Sequence, residues 1–327
     1  MNTDIELKNH LICEFLIRKS APSVLLEARG VVNNIDEVVD AFMEAFQKQI
    51  TETFTRLTDR VQSYNNSNIL DGIDTFFTNF NIYLTTRKSP KVTYNGVMQP
   101  SSIKRNNDTN LWYCVPDIYL TAGAPNEKKL YQVISFALAH ELTHCYNLLQ
   151  YAIQNNKQFE DEIFQNIENQ RYFDINKGKN STENNEKALS YVLYYLNRME
   201  RNAYLAQLRQ ELLSEKDKMV DDKSIFTLIR NSESYSKLKE IERNINAVNS
   251  INDEETKKQL IVYLNTIMNR KFTTYNQVKK YLNSRWSKWK KNYLIKATKI
   301  AYDVYSTTNH SKWLDWGMMG KKSPTIK

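Results

Sequence analysis

The chain has 327 residues, of which 41% are apolar, 25% charged and 12% aromatic. That is enough for one large or two ordinary domains with a true core, and it excludes a disordered or low-complexity chain. Only seven glycines and six prolines leave few tight turns, so long helices fit better than a many-stranded sandwich or a doubly wound sheet. The formal charge of +8 permits acidic partners, nucleic acid or an anionic membrane surface without selecting among them.

The first residues, MNTDIELKNHLICEFLIRK, have no basic start ahead of an apolar run, so no secretory signal is expected. No stretch is long and apolar enough to predict a membrane span. Cys13, Cys114 and Cys145 are widely spaced and odd in number, which argues against a disulfide framework. A cytoplasmic location is expected, or the host cytoplasm or a virion if the chain is phage-encoded. Residues 1–79 are expected to form an N-terminal helical region. Within it, Phe42, Phe46, Ile50, Phe54, Leu57 and Val61 recur every three or four residues and predict an amphipathic helix over 36–62.

From residue 80 the composition shifts to β-branched and aromatic residues. Ile82–Arg87, Lys91–Met98 and Leu111–Thr121 predict strands of a small antiparallel sheet, punctuated by Ser89-Pro90, Asn95-Gly96 and the polar run Lys104–Asn110. Helix resumes over 126–152, with Asn126 as the expected N-cap and Glu127 in the first turn. Residues 153–185, which include GKNSTENN, are polar and predict a partly helical insertion. Further helices are predicted at 186–215, 254–270 and 275–306, ahead of a frayed tail. The fold class is therefore mainly α (α+β), divided into 1–79, a core at 80–215 and a C-terminal helical subdomain at 216–327.

The core carries His140-Glu141-Leu142-Thr143-His144, an HExxH motif inside the apolar run ISFALAHELTHCYNLL. On a helix, residues four apart lie on one face, so both imidazoles can hold one Zn²⁺. Glu141 lies beside them and can act as general base toward a water activated by the metal. The alternative is a helix with two satisfied core histidines and a salt-bridged glutamate. Two of the chain's four histidines occupy this one face, which is unusual for packing alone. A catalytic zinc takes three protein ligands, and no HxxGxxH continuation follows, because residues 145–150 read CYNLLQ. Glu200 is the preferred third ligand, since Leu193, Leu196, Glu200 and Ala203 form one stripe and a carboxylate on an apolar face needs a partner. Glu186 and Glu160 are weaker substitutes, and a surface Glu200 beside Arg201 is the bland alternative.

HELTH followed by a helix with ExxAY resembles the gluzincin branch of the zincin metallopeptidases. The resemblance covers roughly residues 80–215. It implies His140, His144 and Glu200 as zinc ligands, Glu141 as the base and a peptide or protein as substrate. It also implies an edge strand that holds the substrate backbone by strand addition, for which Leu111–Thr121 is the expected segment despite Pro116. The spacing to Glu200 is longer than in compact members, so an insertion is implied. Tyr204 stands where an acidic residue often follows the ligand glutamate by four. A Tyr or His often stabilises the oxyanion in such enzymes, and Tyr204 and His310 both remain open here. His10 reads as incidental.

Residues 277–300 carry eight lysines and arginines, from Lys279 and Lys280 to Lys299, and no acids, interleaved with Tyr281, Trp286, Trp289 and Tyr293. This pattern fits a nucleic-acid or anionic surface, or simply a solvated basic face with aromatics turned inward. The competing readings are therefore a zinc metallopeptidase, a catalytically inactive zincin-like structural or protein-binding protein such as a viral component, and a nucleic-acid-binding protein.

Overall fold

Burial divides the chain between two apolar cores in the computed structural model, which describes residues 3–20, 35–45, 60–65, 81–105, 112–155, 184–268 and 270–308. The first core is built on a four-stranded sheet: β1 (Arg60–Asn65), β2 (Asn81–Lys88), β3 (Thr93–Arg105) and β4 (Trp112–Ala124), in the order β1-β2-β4-β3. Ile82, Leu84 and Thr86 alternate inward along β2, the two-residue period of a half-buried strand. Against that face lie helical residues 35–45 (α2), through Ile35, Val38, Val39 and Phe42, and the long helix α3 (Glu127–Asn155).

The sheet is mixed and not antiparallel as the strand pattern suggested. β1 and β3 run antiparallel to their neighbours, but β2 and β4 are parallel, with Ile82 opposite Ile118 and Leu84 opposite Leu120. Alternation along a strand reports which face is buried but not which strand lies beside it. The chain leaves β2, crosses to the far edge as β3 and returns between them as β4. The segment expected at the edge, Leu111–Thr121, is thus central, and β3 is the edge. Pro116 is accommodated because β2 pairs with β4 only from Asp117 onward, so no β2 partner waits for its missing N–H. Asn95-Gly96 lies inside β3 and is not a turn. The helix expected over 36–62 is contradicted at its end, because Arg60–Asn65 is the strand β1, with Val61 opposite Thr85; residues 46–59 lie outside the described residues.

The second core is helical. α1 (Thr3–Ser20) contributes Leu7 and Leu11 to it. The others are α4 (Asn184–Tyr195), α5 (Arg198–Ser214), a 3₁₀ turn (Lys216–Lys218), α6 (Asp222–Asn231), α7 (Glu233–Asn249), α8 (Glu254–Met268) and α9 (Tyr275–Thr308). α6 and α7 begin at Asp221 and Ser232, whose side chains accept from Ser224 N and Tyr235 N. The helix expected over 186–215 is broken in two at residues 196–197.

α5 joins the cores. Tyr204, Leu205, Leu208 and Leu212 pack into the helical core, while Met199 packs on the sheet core. Asp36 of α2 takes an ion pair from Arg209, and Gln210 Nε2 donates to it at 2.7 Å. Among the described residues, no helix is long and apolar enough to cross a membrane.

Candidate metal centre

α3 starts where the sequence places it: Asn126 Oδ1 accepts from Lys129 N at 2.9 Å. Four helical turns later the motif reaches the interface with α5. The rings of His140 and His144 lie 4.9 Å apart at 72°, one turn above each other. α5 begins at Asn197, whose side chain accepts from Met199 N at 3.0 Å. That cap places Glu200 in the first turn, where the helix dipole favours a carboxylate. Glu200 is 1% exposed, and its two oxygens face different rings: Oε2 is 3.7 Å from His140 Nε2 and Oε1 is 3.5 Å from His144 Nε2.

One ligand atom from each of the three residues lies within 4.8 Å of the others. Donors held about 2.1 Å from one tetrahedral ion stand roughly 3.4 Å apart, close to both imidazole–carboxylate separations. The donor set, two imidazole nitrogens and a carboxylate, is one that zinc accepts. By geometry and chemistry the residues fit the metal.

The three residues are also electrostatically coupled. Burial alone would raise the Glu200 pKa, but His144 and His140 outweigh it and hold the group down to about 2. Burial alone would lower the His140 pKa; Glu200 and Glu141 overcome it and raise it. A fully buried carboxylate is therefore kept ionised by the groups that share the site.

Glu141, 6% exposed, reaches β3 and lines the same cavity as His140 and Glu200. Burial pushes its pKa up to about 7, opposed by His140 and by a hydrogen bond from the Met98 backbone N–H. Gly96 makes the position available. A Cβ there would sit 2.8 Å from Glu141 Cγ and 2.9 Å from Cδ, and closer still to Oε1. The glycine in a strand interior thus marks a close approach.

His140, Glu141 and Glu200 line a cavity of about 780 Å³. One wall is Val92 with β3 from Thr93 to Gly96; another is built from α4, α5 and the start of α7, including Tyr194, Tyr204 and Glu233. Tyr204 packs edge-on against His140, with ring centroids 4.7 Å apart. Beyond it on the same face of α5, Gln207 Nε2 donates to Tyr94 Oη at 2.5 Å and to Glu211 Oε1 at 2.7 Å, and Gln207 also helps raise the His140 pKa. Sequence reasoning missed Gln207, Glu211, Tyr94 and Gly96. The first two had a signal: Glu200, Tyr204, Gln207 and Glu211 fall at i, i+4, i+7 and i+11, a polar stripe on a buried face.

The remaining expected residues fall elsewhere. Glu160 and His310 lie outside the described residues, and Glu186 lies in α4 before its side chains are described. His10 lies half-buried on α1, where burial lowers its pKa. Along α9, Trp286, Trp289 and Tyr293 are buried while Lys280, Lys288, Lys291, Lys296 and Lys299 are exposed. Trp286, Trp289 and Tyr293 belong to the helical core, and half-buried Tyr281 lies under Arg270 and Arg285.

Comparison with models of known protein families, with curated proteins and with solved structures gives no match to this chain.

Proposed function

We propose that the chain is a zinc-dependent metallopeptidase of gluzincin type, with His140, His144 and Glu200 as the metal ligands and Glu141 as the general base. The observation that carries this reading is the convergence of the three ligand residues, from two helices of two cores, on one buried point beside a cleft. Zinc held there supplies Lewis acidity, which lowers the pKa of a water and polarises a scissile carbonyl. Glu141 takes the proton of the attacking water and delivers it to the leaving amine. β3, last in the strand order of the described sheet and lining the cleft from Thr93 to Gly96, aligns the substrate backbone by strand addition. Of the two side chains considered for the oxyanion, Tyr204 packs against His140, and His310 lies outside the described residues.

The test pairs metal analysis with a peptide-library digest. Purified protein is expected to hold close to one zinc per chain and to cleave peptides. Glu141→Gln should keep the zinc and lose hydrolysis by roughly 10²–10⁴-fold, the usual worth of a general base. Glu200→Ala should lose the zinc. Zinc that survives Glu200→Ala overturns the ligand set. Zinc without hydrolysis, and no effect of Glu141→Gln, would assign a non-catalytic metal-binding protein instead.

A further inference from the structure

The far end of the cleft carries groups that hydrolysis does not use. Glu211 is 8% exposed and Gln207 is 1% exposed, and both line the cavity. Glu211 Oε1 is occupied: it accepts from Gln207 Nε2 at 2.7 Å and from Ser234 N at 3.3 Å. Glu211 Oε2 has no hydrogen-bond partner among the described residues, although the backbone of Glu233 also helps to hold the carboxylate's pKa down. A buried acceptor oxygen on a residue of the cavity wall calls for a donor.

Charge narrows the kind of donor. The cavity's lysines are engaged elsewhere: Lys129 and Lys218 both pair with Glu215, and Lys237 is 3.0 Å from Glu240. Among the described residues, no lysine or arginine forms an ion pair with Glu211. Glu233, exposed on the same wall, adds a second negative charge whose field reaches Glu211. Burial, reinforced by Glu233, pushes the Glu211 pKa up to about 7. An ionised carboxylate there at neutral pH lacks the counter-charge a buried anion requires. Tyr94 and Tyr195 line the same cavity.

We infer that Glu211, with Gln207, forms a recognition site for a protonated amine or guanidinium of the substrate, so that the chain selects peptides with a basic group close to the scissile bond. The inference rests on the metallopeptidase reading above. Glu211 follows Glu200 by eleven residues, about 16 Å along the helix at 1.5 Å per residue. An extended substrate advances about 3.3 Å per residue, so the basic group belongs to a residue within a few positions of the cleaved bond. Lysine and arginine side chains and a free N-terminal amine share this chemistry.

The test uses binding as well as cleavage. Zinc-loaded Glu141→Gln protein is titrated into fluorescent peptides blocked at both ends and differing at one position: Lys, Arg, Gln, Leu or Glu. A second set lacks basic side chains and has a free or acetylated N-terminus. A basic group is expected to tighten binding by roughly tenfold or more at low salt, the scale of one charge-assisted hydrogen bond. Preference among the blocked peptides identifies a side chain; preference only for the free terminus identifies the α-amine. Adding Glu211→Gln, which keeps the acceptor for Gln207 and Ser234, should reduce the preference to about twofold or less, and Glu233→Gln, at an exposed position, should weaken it partly. Equal binding of all peptides, no binding of any, or a preference that survives Glu211→Gln overturns the inference. Cleavage of the same peptides by the unsubstituted protein separates the two readings. Cleavage without basic preference sinks the recognition site alone, and basic-selective binding without cleavage sinks the peptidase alone.

Discussion

A hydrogen atom in place of a methyl group at residue 96 decides where the Glu141 carboxylate can sit. Gly96→Ala brings a Cβ against Glu141 Cγ and Cδ, and the neighbour it meets is the group assigned to proton transfer. Overpacking of this kind costs about 1–3 kcal/mol, and displacing a reacting group by about 1 Å costs roughly 10²-fold in rate. Gly96→Ala is expected to fold, to retain zinc and to lose hydrolysis by about that factor; unchanged kcat/KM would show that Glu141 acts from another position. A second residue-scale expectation concerns Glu211, whose pKa is pushed up to about 7 by burial from an ordinary 4.5. A raised carboxylate pKa means that the folded state binds a proton the unfolded state has released. The stabilisation is complete below pH 4.5 and is lost as pH rises through 7. Glu211→Gln removes the titration, so its stability relative to the parent should grow by on the order of 2–3 kcal/mol between pH 5 and 8.5. Urea unfolding at both pH values checks this, and a flat difference would mean that Glu211 is ionised with a partner. The residue scale is also where the sequence was most direct: His140, Glu141 and His144 are close in sequence and fixed by helical spacing alone. Gly96 was opaque because its role depends on a helix that packs over the strand from outside its own segment.

At the scale of elements, the break between α4 and α5 sets the site. A single helix through residues 186–215 would carry Glu200 in its middle; the break at Asn197 instead puts it in a first turn, with the helix dipole behind it. Asn197 followed three residues later by Glu200 is a start signal that the long apolar stripe concealed. The stripe Leu193, Leu196, Glu200 and Ala203 pointed to the correct residue although two separate helices supply it. Asn197→Ala removes the bond to Met199 N and should cost about 1 kcal/mol. It should also weaken zinc binding, because the carboxylate is positioned by that turn, whereas Asn197→Asp should restore both. Chelator competition and thermal melts report the two effects together; equal zinc affinity in the alanine variant would show that packing against α3 alone holds Glu200. The strands were legible as segments but not as a sheet. Ile82–Arg87 and Leu111–Thr121 fall within β2 and β4, yet pairing is a long-range property, and the parallel contact between Ile82 and Ile118 leaves no local trace. The same limit hid β1, where pairing with Asn81–Lys88 overrides the helical spacing that ends at Val61.

For the whole molecule, the candidate metal centre lies where the two cores meet. His140 and His144 belong to α3, which packs on the sheet; Glu200 belongs to α5, whose Leu205, Leu208 and Leu212 fill the helical core. A bound ion therefore ties the cores together, beside the contacts of Arg209 and Gln210 with Asp36. Ligand binding to the native state alone stabilises it by about 4 kcal/mol when free ligand is a thousandfold above its Kd. In a chain of 327 residues, that corresponds to a rise in Tm of about 5–10 °C, scaling from the shift per kcal/mol in somewhat smaller proteins. Chelation of the purified protein should lower Tm by that amount, and added zinc should restore it. Glu200→Ala should melt near the chelated protein and respond little to either treatment. Glu141→Gln, which leaves the three ligands in place, should respond as the parent does. A chelator shift of equal size in Glu200→Ala would mean that the ion does not bridge α3 and α5, and the two cores would then be held by side-chain packing and the Asp36 contacts alone.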